Sequence, residues 1–412
     1  MRASSSPATI PLGLLCVAAA LRQDGHQVAL WDRNVRHQPP DFKADIYGLT
    51  ATTPMVGDAI DWAVSYPQRK FILGGHHATV CCDELYPDNV MLAIGECDHL
   101  DSRFYDFQGH YLGKPLLSLD DAPLPAYDLL RQASYCQPRI MVNGNPVAFM
   151  ETSRGCYGRC SFCSHAMFGY GLRFKSPERV LEEIDLILSL GFGEIQLIDD
   201  NFTSDMDRAA RICELIIKRG LKFPWCPRNG IRVDRVNLEL LRLMRRAGCY
   251  KVFFGVESGS QRILDGIGKG ISKEQTQKAV WLSKKVGLET GAYFMAGFPG
   301  EKEEELNDTM RFACKLNTDH VSLASVLPLP GTDLFRQMDR NGQIKTKDWS
   351  LYHFYTPPGI IYDHTQDIQA FVKRFYRRYY FRPRYILRKI LTAGRSGKLW
   401  DYIKALVKIK WL

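Results

Sequence analysis

No apolar run in this 412-residue chain reaches the roughly 18 residues that a membrane-spanning helix needs, which excludes a helical integral membrane protein. Ile10 to Leu21, behind Met1-Arg2, has the length of a signal-peptide core, but it runs on as an amphipathic helix into Arg22-Gln-Asp-Gly25, so export is not expected. A disulfide framework is also missing. Twelve cysteines are present, and nine of them, among them the adjacent Cys81-Cys82, are scattered without a pairing pattern. They read as small buried apolar residues in a reducing, cytoplasmic compartment.

Acidic side chains are nearly absent from one region. Phe371 to Leu412 carries 13 Lys or Arg and the single acid Asp401. The whole chain has a formal charge of +9, so residues 1–370 net −3. The basicity belongs to the tail, and a general nucleic-acid-binding protein is excluded as a reading of the whole.

The content that remains, 45% hydrophobic and 24% charged, suits a globular α/β chain of two or three domains. Residues 1–105 alternate short strands (Gln27–Asp32, Asp45–Ala51, Phe71–Gly75, Val90–Gly95) with helices (Leu12–Arg22, Ala59–Ser65), the signature of a doubly wound, Rossmann-like parallel sheet. Residues 106–145 are proline-rich and aperiodic, and read as a linker. From 146 to 332 strand, loop and helix repeat six times, a partial (β/α)6 version of the TIM-like barrel, whose function is expected at the carboxyl ends of the strands. Residues 333–412 form an aromatic and then basic helical extension.

The first barrel strand, Val147–Thr152, delivers Glu151-Thr-Ser-Arg-Gly-Cys156-Tyr-Gly-Arg-Cys160-Ser-Phe-Cys163. Three thiolates in eight residues can wrap one small metal centre, and the loop holds no fourth cysteine. One reading is a zinc knuckle closed by His165. The other is an iron–sulfur cluster with one iron left open for a substrate.

The Cys-x3-Cys-x2-Cys spacing, with Phe162 directly before the third cysteine, resembles the signature of radical S-adenosylmethionine (SAM) enzymes. The resemblance implies a 4Fe-4S cluster on Cys156, Cys160 and Cys163, and SAM chelated at the open iron. It also implies homolysis of the sulfonium bond to a 5′-deoxyadenosyl radical that attacks an unactivated C–H. By the same resemblance Asp199, Asp200 and Asn201 meet the SAM amino group, Glu257 and Ser258 the ribose or methionyl end, and Arg232 the carboxylate. Gly297, Pro299 and Gly300 border the adenine, with Phe162 beside the cofactor. Arg228 and Glu301, on the same rim, read equally as ion-pairing or capping residues.

Pro11-Leu-Gly-Leu-Leu, Gly25-His26, Gly74-Gly75-His76-His77-Ala-Thr79 and Gly95-Glu96 resemble the cobalamin-binding domain that precedes many radical SAM cores. Gly74, Gly75, His76, Thr50 and Thr52 are the implied cobalamin contacts. Relatives begin with an extra strand where this chain has the polar Met1–Pro7, so the sheet is expected to lack its first strand. No Asp-x-His-x-x-Gly motif occurs, and no histidine ligand to cobalt is implied.

The resemblance implies a cobalamin-dependent methyltransferase acting on a small molecule, lipid or tetrapyrrole in kind, with a flavodoxin- or ferredoxin-type electron donor and no nucleic acid. A radical SAM oxidoreductase or cyclase without methyl transfer, and a non-catalytic metal-binding protein, stay open. Trp349 to Pro358 is expected to line a substrate cavity or to cap the core. The tail from 371 to 412 is expected either to lie on an anionic membrane, at its inner face, or to pack on the barrel by its apolar side.

Overall fold

The structure is a computed structural model that describes residues 9–35, 43–107, 109–353, 356–395, 397–398 and 400–402. Met1–Pro7, Phe354, Tyr355 and residues 403–412, which figure in the expectations above, lie outside the described residues.

Three largely apolar pentapeptides and one short edge strand build the front sheet. Helix α1 (Leu12–Gln23) is followed by β1 (Ile46–Thr50), α2 (Val56–Ser65), β2 (Lys70–Gly74), α3 (His76–Val80), β3 (Val90–Ile94) and β4 (His110–Leu112). The strands are all parallel, in the order β1-β2-β3-β4. Phe71, Ile72, Leu73, Met91, Leu92 and Ala93 are buried in the two central strands, as expected for a parallel sheet covered on both faces.

Two expectations need correction here. Gln27–Asp32 forms no strand; its side chains are used elsewhere, with Trp31 against the Trp62 ring at 5.4 Å and Asp32 accepting from the Tyr135 hydroxyl at 2.9 Å. The fourth strand is β4 instead, three residues long and drawn from the proline-rich stretch read as linker, with Tyr111 opposite Ala93.

The barrel runs β5 (Val147–Met150), β6 (Ser153–Arg154), β7 (Arg173–Phe174), α4 (Pro177–Ser189), β8 (Glu194–Leu197), α5 (Met206–Lys218), β9 (Trp225–Pro227), α6 (Leu238–Arg246), β10 (Lys251–Glu257), α7 (Gln261–Gly266), α8 (Lys273–Lys285), β11 (Glu289–Ala296), α9 (Glu303–Leu316) and β12 (His320–Ser325). Helix starts follow capping chemistry: Ser176, Asp205 and Asn237 accept from the amides of Arg179, Arg208 and Leu240 at 3.1, 2.9 and 2.8 Å. Strands β5, β8 and β9 pair in parallel, as do β10, β11 and β12. Single parallel bridges, Trp225 to Cys249 and Ile231 to Phe254, join the two triplets into one six-stranded wall. Its core holds Val147, Leu181, Ile187, Leu241, Val252, Phe254 and Ala292, each large side chain contributing about 1.5–3 kcal/mol by leaving water.

A buried charged seam locks the front sheet to the barrel. Arg154 on β6 donates to Glu96 and Asp98, just past β3, at 2.6 Å each, and pairs with Glu151; Arg173 on β7 pairs with Glu96.

Among the described residues the helices α10 (Asp333–Arg340), α11 (Pro358–Ile361), α12 (Ile368–Tyr380) and α13 (Pro383–Arg395) follow. Within the aromatic segment, Tyr352 is buried in a capping core with Phe298, Val326 and Tyr362. Helix α12 is part of the barrel's jacket: Phe371, Phe375 and Tyr379 are buried, and the Tyr376 hydroxyl accepts from Leu323 on β12 at 2.9 Å. The first half of the basic tail therefore packs the barrel. On α13, Ile386, Leu387, Ile390 and Leu391 are exposed. Among the described residues no helix is long and apolar enough to cross a membrane.

Candidate functional site

Strand β5 is fully buried and ends where the cysteine loop begins, so the loop stands on the carboxyl rim of the barrel. Its stem is tied down by the acids that end β8. Asp199 accepts from the Thr152 amide (2.6 Å), the Thr152 hydroxyl (2.5 Å) and the Ser153 hydroxyl (2.8 Å), and Asp200 accepts from the Gly155 amide at 3.0 Å. Farther along, the Ser161 amide donates to the Ile267 carbonyl at 2.9 Å, and the Cys163 amide closes a turn on Cys160 at 3.0 Å.

The loop curls around Gly158. A methyl group there would lie 3.4 Å from Cys156 Sγ, 3.8 Å from Cys160 Sγ and 3.4 Å from an Arg232 guanidinium nitrogen. The missing Cβ is thus part of the cradle, with two sulfurs converging on it. Cys156, Cys160 and Cys163, with or without His165, do not form a set whose ligand atoms all lie within 4.8 Å of one another, whereas one tetrahedral zinc with bonds of about 2.3 Å to sulfur draws its thiolates to roughly 3.8 Å apart. This spread suits a multi-iron centre better than a single ion. His165 instead stacks on the Tyr170 ring, centroids 4.3 Å apart.

Charge is arranged beside the sulfurs. Lys269 Nζ donates to Glu257 Oε1 at 2.8 Å, both side chains largely buried. Burial works against the Lys269 charge, but Glu257 and Cys160 outweigh it and raise its pKa. Burial likewise raises the Cys160 thiol, and Lys269 opposes that rise. Arg232 is held by Asp234 at 2.9 Å, lies over the Tyr157 ring at 5.4 Å, and donates its amide to Asn201 Oδ1 at 3.3 Å. The Asn201 amide nitrogen is buried with no hydrogen-bond partner. Burial also raises the pKa of Asp200.

The Gly297-Phe-Pro-Gly300 turn is folded around Glu301, which accepts from the Gly297 and Phe298 amides at 2.7 and 3.2 Å. Phe298 meets Phe162 edge to face, centroids 5.8 Å apart. One rim therefore gathers the cysteines, Phe162, Asp200, Asn201, Arg232, Glu257 and the glycine turn.

Other expected residues face elsewhere. Asp199 spends both carboxylate oxygens on the loop stem. The Ser258 hydroxyl is 3.1 Å from that of Thr309 on α9. Arg228 bonds Gln196 at 3.0 Å. Sequence reasoning missed Lys269, Tyr157, Asp234 and Gly158. Each had a local signal: Lys269 stands between Gly268 and Gly270, Tyr157 and Gly158 lie inside the cysteine motif, and Asp234 is two residues from Arg232.

On the front sheet, Gly75 has φ +97°, and a Cβ there would lie 2.7 Å from Thr50 Oγ1, so the ends of β1 and β2 are in close contact where only glycine fits. Thr50 and Thr52 are exposed on this edge. His76 Nε2 lies 2.8 Å from the Ser164 hydroxyl, one residue past Cys163. The edge that carries Gly74, Gly75 and His76 abuts the cysteine loop.

The Radical SAM superfamily profile matches residues 150–313. An uncharacterized methyltransferase of Pyrococcus horikoshii is 32% identical over 420 residues, covering 92% of this chain and 90% of that protein. The cytidylyl-2-hydroxyethylphosphonate methyltransferase of Streptomyces wedmorensis is 27% identical, covering 86% and 82%. The anaerobic magnesium-protoporphyrin IX monomethyl ester cyclase of Cereibacter sphaeroides is 30% identical, covering 89% and 67%. In fold, the chain matches the cobalamin-dependent SAM radical enzyme OxsB with aqua-cobalamin bound, at TM-score 0.70 and 18% identity, over 99% of this chain and 70% of that one.

Proposed function

The chain belongs to the radical SAM superfamily, and from that premise we propose that it is a cobalamin-dependent methyltransferase of a small molecule. The observation that carries the proposal is the close approach of the front sheet's Gly75–His76 edge to the cysteine loop, sealed by the 2.8 Å contact between His76 and Ser164. A cofactor held on one would face a cofactor held on the other.

In this reading Cys156, Cys160 and Cys163 hold the 4Fe-4S cluster, and the Gly158 cradle fits it. Asp200, Asn201, Glu257, Arg232 and the Gly297–Gly300 turn hold SAM. Thr50, Thr52, Gly74, Gly75 and His76 hold cobalamin. When bound, the cluster supplies the electron that cleaves SAM, and cobalamin supplies a methyl carrier. The chain's own part is placement. The Asn201 amide nitrogen is free to donate to a carboxylate, Arg232 is aimed along the loop by Asp234, and the Lys269 ammonium, held by Glu257, offsets part of the negative charge of the thiolates. Phe162 and Phe298 cover one side of the loop with apolar surface.

The domain plan that accompanies this is a cobalamin-binding front, a connector, a radical SAM core and a helical extension. A flavodoxin- or ferredoxin-type donor would approach the loop from the exposed side at Cys163. The exposed Leu387 and Leu391 of α13, among neighbouring Arg and Lys, support contact with an anionic membrane face and a lipid-like substrate. The free state of all twelve cysteines supports a cytoplasmic setting.

A second reading, oxidation or cyclisation without methyl transfer, is favoured by the likeness to the ester cyclase. Anaerobic reconstitution with iron, sulfide and a corrinoid, then incubation with SAM and a strong reductant, tests both. S-adenosylhomocysteine with methylated corrinoid supports methyl transfer; 5′-deoxyadenosine without either supports the second reading.

A further inference from the structure

We propose that His77, Cys81 and Glu84 form a second metal site, for zinc or a similar divalent cation, on the helix whose first residue touches the cysteine loop. His77 and Cys81 are four residues apart, so α3 and its C-cap present them on one face. Glu84 follows in a turn whose amide donates to the Cys81 carbonyl at 3.2 Å. One ligand atom from each lies within 4.8 Å of the others, the one such set of three among the described residues.

The imidazole points to the same ligand chemistry. His77 is fully buried, yet neither ring nitrogen has a hydrogen-bond partner. A buried polar atom left without a partner is costly, and a metal bond to one nitrogen would remove part of that cost. The His77 Nε2 to Glu84 Oε2 separation of 3.5 Å is long for a hydrogen bond. It equals the roughly 3.5 Å between two ligands of a tetrahedral zinc with bonds near 2.1 Å.

The carboxylate is also aimed. Trp349 Nε1 donates to Glu84 Oε1 at 2.8 Å, leaving Oε2 toward His77, and the indole covers the His77 ring edge-on at 5.6 Å. One imidazole, one thiolate and one carboxylate form a borderline donor set that suits zinc and leaves a fourth position for water. The site fixes the helix whose first residue, His76, contacts Ser164. Cys81 then acts as a ligand rather than as a small apolar filler.

The test is metal analysis of the full chain in which Cys156, Cys160 and Cys163 are all replaced by alanine, so that the cysteine loop binds neither iron nor zinc. After incubation with zinc and gel filtration, about one zinc per chain is expected. Cobalt(II) in its place should give a thiolate-to-metal band in the near ultraviolet. Cys81→Ser and Glu84→Gln, added singly, should abolish the bound metal, and Trp349→Phe should weaken it roughly 10- to 100-fold. Cys82→Ser should leave it unchanged, and circular dichroism of each variant checks folding. No zinc in the parent, or zinc retained in both Cys81→Ser and Glu84→Gln, overturns the proposal. Because the cluster ligands are absent throughout, the result is independent of whether the radical chemistry is correct.

Discussion

Lys269 and Glu257 form a 2.8 Å ion pair directly beside the cysteine loop, and Glu257 reaches it from a backbone φ of +62°, at a register shift in β10. A left-handed conformation costs a non-glycine residue roughly 1–2 kcal/mol, so the end of β10 is bent at a price to aim this carboxylate. Lys269→Ala strands the Glu257 charge and should lower stability by about 3 kcal/mol. Denaturant unfolding measures this, and SAM binding by calorimetry should weaken in parallel. Unchanged SAM affinity in a folded Lys269→Ala protein would mean that the pair serves the fold alone.

Gly158 separates cluster assembly from folding. The three atoms nearest a methyl group at this position are Cys156 Sγ and an Arg232 nitrogen at 3.4 Å and Cys160 Sγ at 3.8 Å, all on the loop or its rim. Gly158→Ala should therefore reduce iron per chain after reconstitution while leaving the thermal transition within a few degrees of the parent. Full iron content would show that the loop relaxes to accept a side chain.

At the front sheet, Gly75→Ala places a Cβ 2.7 Å from Thr50 Oγ1 at a φ of +97°. The expected result is loss of bound corrinoid with the iron content retained, and a stability cost of about 1–2 kcal/mol. Corrinoid bound at parental levels would remove the Gly75 edge from the cobalamin reading.

Glu301 gives a pH signature. Burial pushes its carboxyl from 4.5 up to about 7, so the folded state holds a proton that the unfolded chain releases. A raised carboxylate pKa stabilises fully below the unfolded value, and that contribution is lost as pH rises through the folded one. The loss between about pH 4.5 and 7 is roughly 3 kcal/mol. Glu301→Gln should flatten this part of the stability curve, measured by urea unfolding at pH 5 and pH 8. A variant with the parental slope would place the titration elsewhere.

Much of the site was legible in sequence because its parts are local. The cysteine spacing, the acids after Leu197 and the Gly-Phe-Pro-Gly turn each occupy a few consecutive residues at a strand end, and strand ends are readable from apolar periodicity. Ser176-Pro177-Glu178 marked the start of α4 in the same way. What was not legible depends on distant partners. Lys269 gains its role from Glu257, across the whole of α7. Arg154 joins Glu96 and Asp98, more than fifty residues earlier. Gln27–Asp32 has the alternation of a strand but packs against α2 and Tyr135 instead of entering the sheet. Strand β4, at three residues, is too short to show any period.

The central claim is that the three cysteines of the loop hold a cluster that cleaves SAM. The most direct measurement is 5′-deoxyadenosine released by the anaerobically reconstituted chain with SAM and a strong reductant, set beside Cys160→Ala. Release by the parent and none by the variant is expected, with the variant's circular dichroism spectrum unchanged. Equal release by both, or none by a parent that carries its full complement of iron, would contradict it.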